Sequence, residues 1–247
     1  MITDPSFYAL AIPAVLLIGL SKSGFLSGFG SMATPMLALV VSVPDAAAII
    51  LPLLTVMDAT GVQKLWRERD RDLLRLILPA GLVGIGVGIA TFSFLSPTQV
   101  SGVVGVLTLV FLAQRRLGLT VARLESSRWW GRLLSMASGF TSFIAHAGGP
   151  PIMAYTLPLK LPPVQLTATM AVFFGAINLS KYLPYAALGL FDMRNLVTSA
   201  VLAPIAPLGV WAGIALMKRV KADTFYVIAE ISMLAAGIQL LVKAWRG

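Results

Sequence analysis

Apolar residues run in long blocks along this chain, at roughly 7–21, 24–42, 46–63, 74–94, 98–114, 131–146, 150–160, 164–188, 195–217 and 224–244. A helix rises about 1.5 Å per residue and must cross about 30 Å of hydrocarbon, so a spanning segment needs about 20 residues. Most of the blocks come near that length. The pairs 7–21/24–42 and 131–146/150–160 fit less well, because each contains a short piece and an interruption rich in Gly, Ser and Pro: SKSGFLSGFGSMATP in the first and HAGGPP in the second. Glycine and proline weaken a helix and leave backbone groups unpaired. In hydrocarbon such groups persist only inside protein or beside a wet cavity. The pattern therefore predicts an all-α polytopic membrane protein with about eight to ten transmembrane or re-entrant helices. One broken or re-entrant pair falls in each half.

The halves resemble each other. Ser23–Pro35 reads SGFLSGFGSMATP and Ser138–Pro150 reads SGFTSFIAHAGGP, so Ser23/Ser138, Gly24/Gly139, Phe25/Phe140, Ser27/Ser142 and Pro35/Pro150 match without a gap. Lys64 falls opposite Lys181, and Pro79-Ala-Gly81 resembles Pro207-Leu-Gly209. Internal similarity of this kind is the mark of duplication. It divides the chain into a first transmembrane repeat at 1–118, a basic linker at 119–130 and a second repeat at 131–247.

Charge then sets the orientation. Basic residues cluster at Lys64–Arg75, at Arg115–Arg132 and at Lys218–Lys221, while the loop at 95–98 has none. Cytoplasmic loops carry the excess of Lys and Arg. With the three clusters inside, 46–63 runs inward and its counterpart 164–188 runs outward. The halves thus form an inverted-topology repeat, with both termini outside; Lys243 and Arg246 weigh mildly against that. Paired broken segments in inverted halves point to a secondary transporter whose site lies near the midplane.

Composition agrees with a lipid environment. Of 247 residues, 57% are hydrophobic and 12% charged, against about 25% charged in soluble domains. The net charge of +9 suits membrane orientation better than nucleic-acid binding, and no nucleic-acid partner is expected. The first apolar block has no basic n-region and no clear cleavage site, so it is expected to remain in the mature protein. Cysteine is absent and histidine occurs once, which argues against disulfides, cysteine nucleophiles and a protein-built metal site. No HExxH, P-loop or Gly-x-Ser-x-Gly pattern is present. Neither enzymatic activity nor a cofactor is expected.

The candidate residues lie at the breaks. Lys22, inside apolar sequence, suits attraction of an anion; the competing account is a lysine snorkelling from a helix end. The two breaks, Gly24–Pro35 with Gly24, Gly28 and Gly30, and Gly148–Pro151 with Gly148, Gly149 and Pro150 as site candidates, could expose backbone N–H groups at half-helix N-termini, where oxyanions bind. Ser23, Ser27, Ser31 and Thr34 add hydroxyl donors. Close helix packing is the alternative use of such glycines. His146 could donate to an anion or titrate in a proton-coupled cycle, or simply pack. Asn178 and Lys181 share a helix face at i, i+3 and offer a second cationic contact. Asp58 either pairs with a lysine such as Lys22 or serves a proton step, as could Glu230, which lies further from the breaks.

The stretches GLSKSGFLSGFGSMATPMLAL (19–39), AAAIILPLLTVMDATG (46–61), SFIAHAGGPPIMAY (142–155) and VFFGAINLSKYLPYAALG (172–189) resemble the TauE/SafE sulfite exporter family, a group of small bacterial inner-membrane anion transporters, over essentially the whole chain. Many members carry a denser glycine run after the first lysine; here Ser23, Leu26 and Ser27 replace several of those glycines. The resemblance implies a multi-pass protein of the bacterial inner membrane that exports sulfite or a related organosulfonate. Small anions and membrane lipid are the expected partners, and a homo-oligomer is compatible with the sequence. Two other readings stay open: a structural or assembly protein of the membrane that moves nothing, and a passive anion channel.

Overall fold

The computed structural model describes residues 1–22, 37, 40–92, 94, 96–116 and 127–246. These residues form helices with no β-strand among them: α1 (Pro5–Lys22), α2 (Val43–Leu65), α3 (Arg71–Thr91), α4 (Pro97–Arg116), α5 (Arg128–Ala145), α6 (Gly149–Thr156), α7 (Pro163–Ser180), α8 (Tyr182–Ala187), α9 (Met193–Leu202), α10 (Ala206–Arg219) and α11 (Ala222–Arg246). Each described apolar block has become a helix or a helix pair. The segment 24–42 lies almost wholly outside the described residues. α5 starts at Arg128, three residues ahead of the apolar block at 131–146.

Local sequence accounts for the ends. Asp70 caps α3, its carboxylate accepting from the backbone N–H groups of Asp72 and Leu73 at 3.0 and 2.9 Å. Asp192 caps α9 through the N–H of Asn195 at 2.6 Å. Such caps satisfy donors that a helix start leaves free. Two long blocks are divided by proline. Pro184 has no N–H and its ring crowds the carbonyl four residues back, and there, at Ser180 and Lys181, α7 gives way to α8. Pro204 similarly sits in the 3-10 turn Ala203–Ile205 that joins α9 to α10.

Among the described residues, six stretches are long and apolar enough to cross a membrane: Pro5–Lys22, Asp45–Glu68, Arg71–Thr91, Pro163–Ala187, Met193–Arg219 and Ala222–Trp245. The molecule is an all-α polytopic membrane protein. All five tryptophans (66, 129, 130, 211 and 245) are largely exposed, as expected of the aromatic belts that flank hydrocarbon.

The helices pack through glycine. A Cβ on Gly84 would lie 1.9 Å from the carbonyl oxygen of Met136, and one on Gly139 would lie 1.9 Å from that of Gly81. The backbones of α3 and α5 are therefore in direct contact. Between α1 and α10, a Cβ on Gly19 would lie 2.8 Å from the Cα of Gly209. Without a hydrophobic drive between helices in lipid, close approach of small residues is what holds them. The pattern is reciprocal, because the first helix of each half packs on the fourth segment of the other.

Contacts along each pair give relative directions. Gly81 meets Gly139 and Gly88 meets Phe143, so α3 and α5 run parallel. Ile2 donates to Thr198 at 2.9 Å while Gly19 meets Gly209, so α1 runs parallel to the α9–α10 unit. Thr55 meets Tyr182 and Asp58 meets Asn178, while Gly61 meets Ala171; α2 and α7 are antiparallel. Gly102 meets Ala244 and Gly237 meets Leu109, making α4 and α11 antiparallel too.

Candidate functional site

The second break is a tight reversal. α5 ends at His146, whose backbone is left-handed at φ 53, a conformation uncommon outside glycine. The chain then turns back as α6, only eight residues long and so about 12 Å, too short to cross. Tyr155 returns to pack over Gly131 near the start of α5, so the chain doubles back along α5. Hydroxyls on α5 satisfy the carbonyls that the reversal frees. Ser138 Oγ donates to the Gly148 carbonyl at 2.6 Å, and Thr141 Oγ1 lies 3.1 Å from that of Ala147, sharing its one proton with the nearer Ala137 carbonyl at 2.8 Å. The Ala147 N–H in turn reaches the Thr141 carbonyl at 3.2 Å. Gly148 is needed here for space: a Cβ would lie 2.7 Å from that of Ser142. Of the first residues of α6, Pro150 and Pro151 have no N–H, which leaves Gly148 and Gly149 as the early donors at that terminus.

Beside this reversal runs a buried polar chain that joins the two halves. Lys22 Nζ, at the end of α1, donates to Asp58 Oδ1 at 2.7 Å. Asn178 Nδ2 donates to Asp58 Oδ2 at 2.7 Å. Lys181 Nζ donates to Asn178 Oδ1 at 3.2 Å and to Ser142 Oγ at 2.7 Å. Asn178 thus spans the chain, its amide N–H serving the carboxylate and its carbonyl serving an ammonium. Lys181 is fully buried and Asp58 is 2% exposed, while the Lys22 side chain keeps 14% and lies 4.9 Å from the Phe174 ring centre. The proline break after Ser180 puts Lys181 at the joint between α7 and α8, where it remains on the face of Asn178.

Asp58 lies thirteen residues, about 20 Å, along α2 from Asp45. At that far end Asn195 Nδ2 donates to Asp45 Oδ1 at 2.6 Å and Arg194 approaches Oδ2 at 3.5 Å. The polar chain is therefore deep within the bundle. On the side of Lys181, Phe143 packs edge-on against Phe92 and Tyr185, each with ring centres 5.7 Å away. His146 meets Tyr185 at 6.1 Å, and its Nε2 is buried without a hydrogen-bond partner among the described residues.

Of the residues expected from sequence, Lys22, Asn178 and Lys181 come together, and Asp58 takes the first alternative offered for it, the pair with Lys22. His146, Gly148, Gly149 and Pro150 form the adjacent reversal. Ser23, Gly24, Ser27, Gly28, Gly30, Ser31 and Thr34 lie outside the described residues. Glu230 is on α11, which packs chiefly on α4. Sequence reasoning missed Ser142 as a lysine partner, although its repeat match with Ser27 was a usable signal. A separate cavity of about 620 Å³ lies between α4, α5 and α6. No charged residue lines it, so it lacks the chemistry of the polar chain.

Among the described residues no group of His, Cys, Asp and Glu could hold a metal ion. What the chain does offer is two lysine amines against one carboxylate, an excess of one positive charge when all three are ionised, and such an excess attracts an anion. No curated protein and no solved structure matches the chain at the significance required. The family model described as Sulfite exporter TauE/SafE matches residues 11–240, nearly the whole chain, and the protein belongs to that family of membrane transporters.

Proposed function

We propose that the protein is a secondary transporter that exports a small sulfur-containing anion, sulfite or an organosulfonate, across the bacterial inner membrane. The observation that carries this reading is the buried chain from Lys22 to Ser142, with its excess positive charge beside the second break. An uncompensated charge in such a place costs several kcal/mol, and a bound anion removes that cost. Lys22, Lys181 and Asn178 would hold the anion. Backbone and hydroxyl donors would come from Ser23, Gly24, Ser27, Gly28, Gly30, Ser31 and Thr34 in one half and from His146, Gly148 and Gly149 in the other, with Pro150 shaping that terminus without donating.

The halves would work as an inverted repeat by alternating access. Supporting this are the reciprocal pairing of α1 with α10 and of α3 with α5, and the antiparallel α2/α7 and α4/α11 pairs, which an exchange of inverted halves leaves unchanged. Asp58 and His146 are the groups suited to a proton-coupled step. Efflux of sulfite and of methanesulfonate from proteoliposomes tests the reading. Flux should saturate, and it should fall at least tenfold in Lys22→Ala and Lys181→Met. Unchanged efflux in both variants would sink the site.

The pairing of Lys22 with Asp58 also favours a second reading, in which the polar chain is internal glue for a membrane protein that moves nothing. That reading requires no flux of either anion above empty liposomes. A passive channel would instead give flux that rises with concentration and does not saturate.

A further inference from the structure

Three ionisable side chains, Lys22, Lys181 and Asp58, lie on one hydrogen-bonded path, and with all three ionised their sum is one positive charge. Residues 23–36, which follow Lys22, contain no ionisable side chain. The other formal charges on elements packed against α2 sit at helix ends. Asp45 with Arg194 lies at one end, and Lys64, Arg67, Glu68, Lys218 and Arg219 belong to the other. Tyr182 donates its hydroxyl to Thr55 on α2 at 3.0 Å. His146 lies across α5, and Lys243 of α11 acts on it electrostatically.

Resting on the anion-transport reading above, we propose that this centre accepts one net negative charge and that Asp58 enforces the limit. A monoanion enters alone and brings the sum to zero. A dianion enters with one proton, which an Asp58 carboxylate oxygen takes from the aqueous phase and returns when the anion leaves. The geometry favours Asp58 as the acceptor because Lys22 bridges both demands. With a monoanion the Lys22 ammonium still balances the carboxylate, whereas the second charge of a dianion has no counter-charge in the buried centre, and a desolvated carboxylate beside it binds a proton. Asn178 can still accept from Lys181 through its carbonyl, so the second ammonium stays in place.

The test uses the full chain in detergent and two probes, methanesulfonate and sulfate, which keep one and two charges respectively throughout the neutral range. Dissociation constants are measured by titration calorimetry at graded pH. Proton uptake on binding makes affinity rise as pH falls, by up to tenfold per pH unit for one proton. We expect that dependence for sulfate and a flat profile for methanesulfonate. Asp58→Asn should flatten the sulfate profile, whereas His146→Gln should leave its slope intact. Sulfate and methanesulfonate with equal slopes in the wild type would overturn the charge rule while leaving anion binding standing. Loss of the slope in His146→Gln alone would overturn the role of Asp58. Failure of both anions to bind would overturn the anion-transport reading and this inference with it.

Discussion

At the scale of the residue, the Lys22–Asp58 pair has consequences beyond transport. Removing one partner of a buried pair strands the other, typically at a cost of about 3 to 5 kcal/mol, whereas removing both is much milder. Lys22→Ala should therefore destabilise the protein by about 3 kcal/mol, and the Lys22→Ala/Asp58→Ala double variant should recover part of that loss. Thermal unfolding of the purified protein across the double-mutant cycle measures this. Additive effects would mean that the two residues do not share an interaction. Ser138 offers a smaller test. Its hydroxyl caps the Gly148 carbonyl, so Ser138→Ala should cost about 1 to 2 kcal/mol by leaving a buried acceptor unpaired. Lys22, His146 and Lys181 could be picked out from sequence because ionisable groups in apolar stretches are conspicuous. Asn178 was legible as a neighbour of Lys181 because i, i+3 spacing is local, whereas Ser142 is 39 residues from Lys181 and only its repeat match with Ser27 set it apart from other serines.

At the scale of the element, the bundle depends on glycines that admit a neighbouring backbone. Gly139→Ala would set a methyl group 1.9 Å from the Gly81 carbonyl oxygen, forcing α3 and α5 apart at a cost of about 2 kcal/mol or more. Gly86→Ala is its control. Nothing lies within 4 Å of a Cβ there, and replacing a helical glycine gains up to about 1 kcal/mol. Opposite shifts in melting temperature are expected for the two variants; matching shifts would contradict the close α3/α5 contact. The break at HAGGPP was visible in the chain because Gly and Pro are local signals. The break at Lys181 was overlooked, although Pro184 was there to signal it, because a proline acts four residues upstream of where it stands.

At the scale of the whole molecule, the parallel and antiparallel pairs leave two arrangements, one the mirror in the membrane of the other, and the basic clusters select between them. The absence of cysteine makes this simple to test. Ser96, just before α4, and Asp72, in the first turn of α3, are both exposed. With a membrane-impermeant maleimide, Ser96→Cys should label in intact cells and Asp72→Cys only after lysis. The reverse result would invert the orientation and place both termini inside.

Hydropathy and charge along the chain determined that the protein is a helical membrane protein, where its segments begin and end, and which ionisable residues are out of place in lipid. These are properties of local composition, and solvent reads them one segment at a time. Only the tertiary structure decided that the second broken pair doubles back until Tyr155 meets Gly131, and that Asp58 pairs directly with one lysine and not both. Those outcomes depend on which faces of distant helices meet, and in lipid that choice rests on small-residue contacts and hydrogen bonds between segments far apart in sequence.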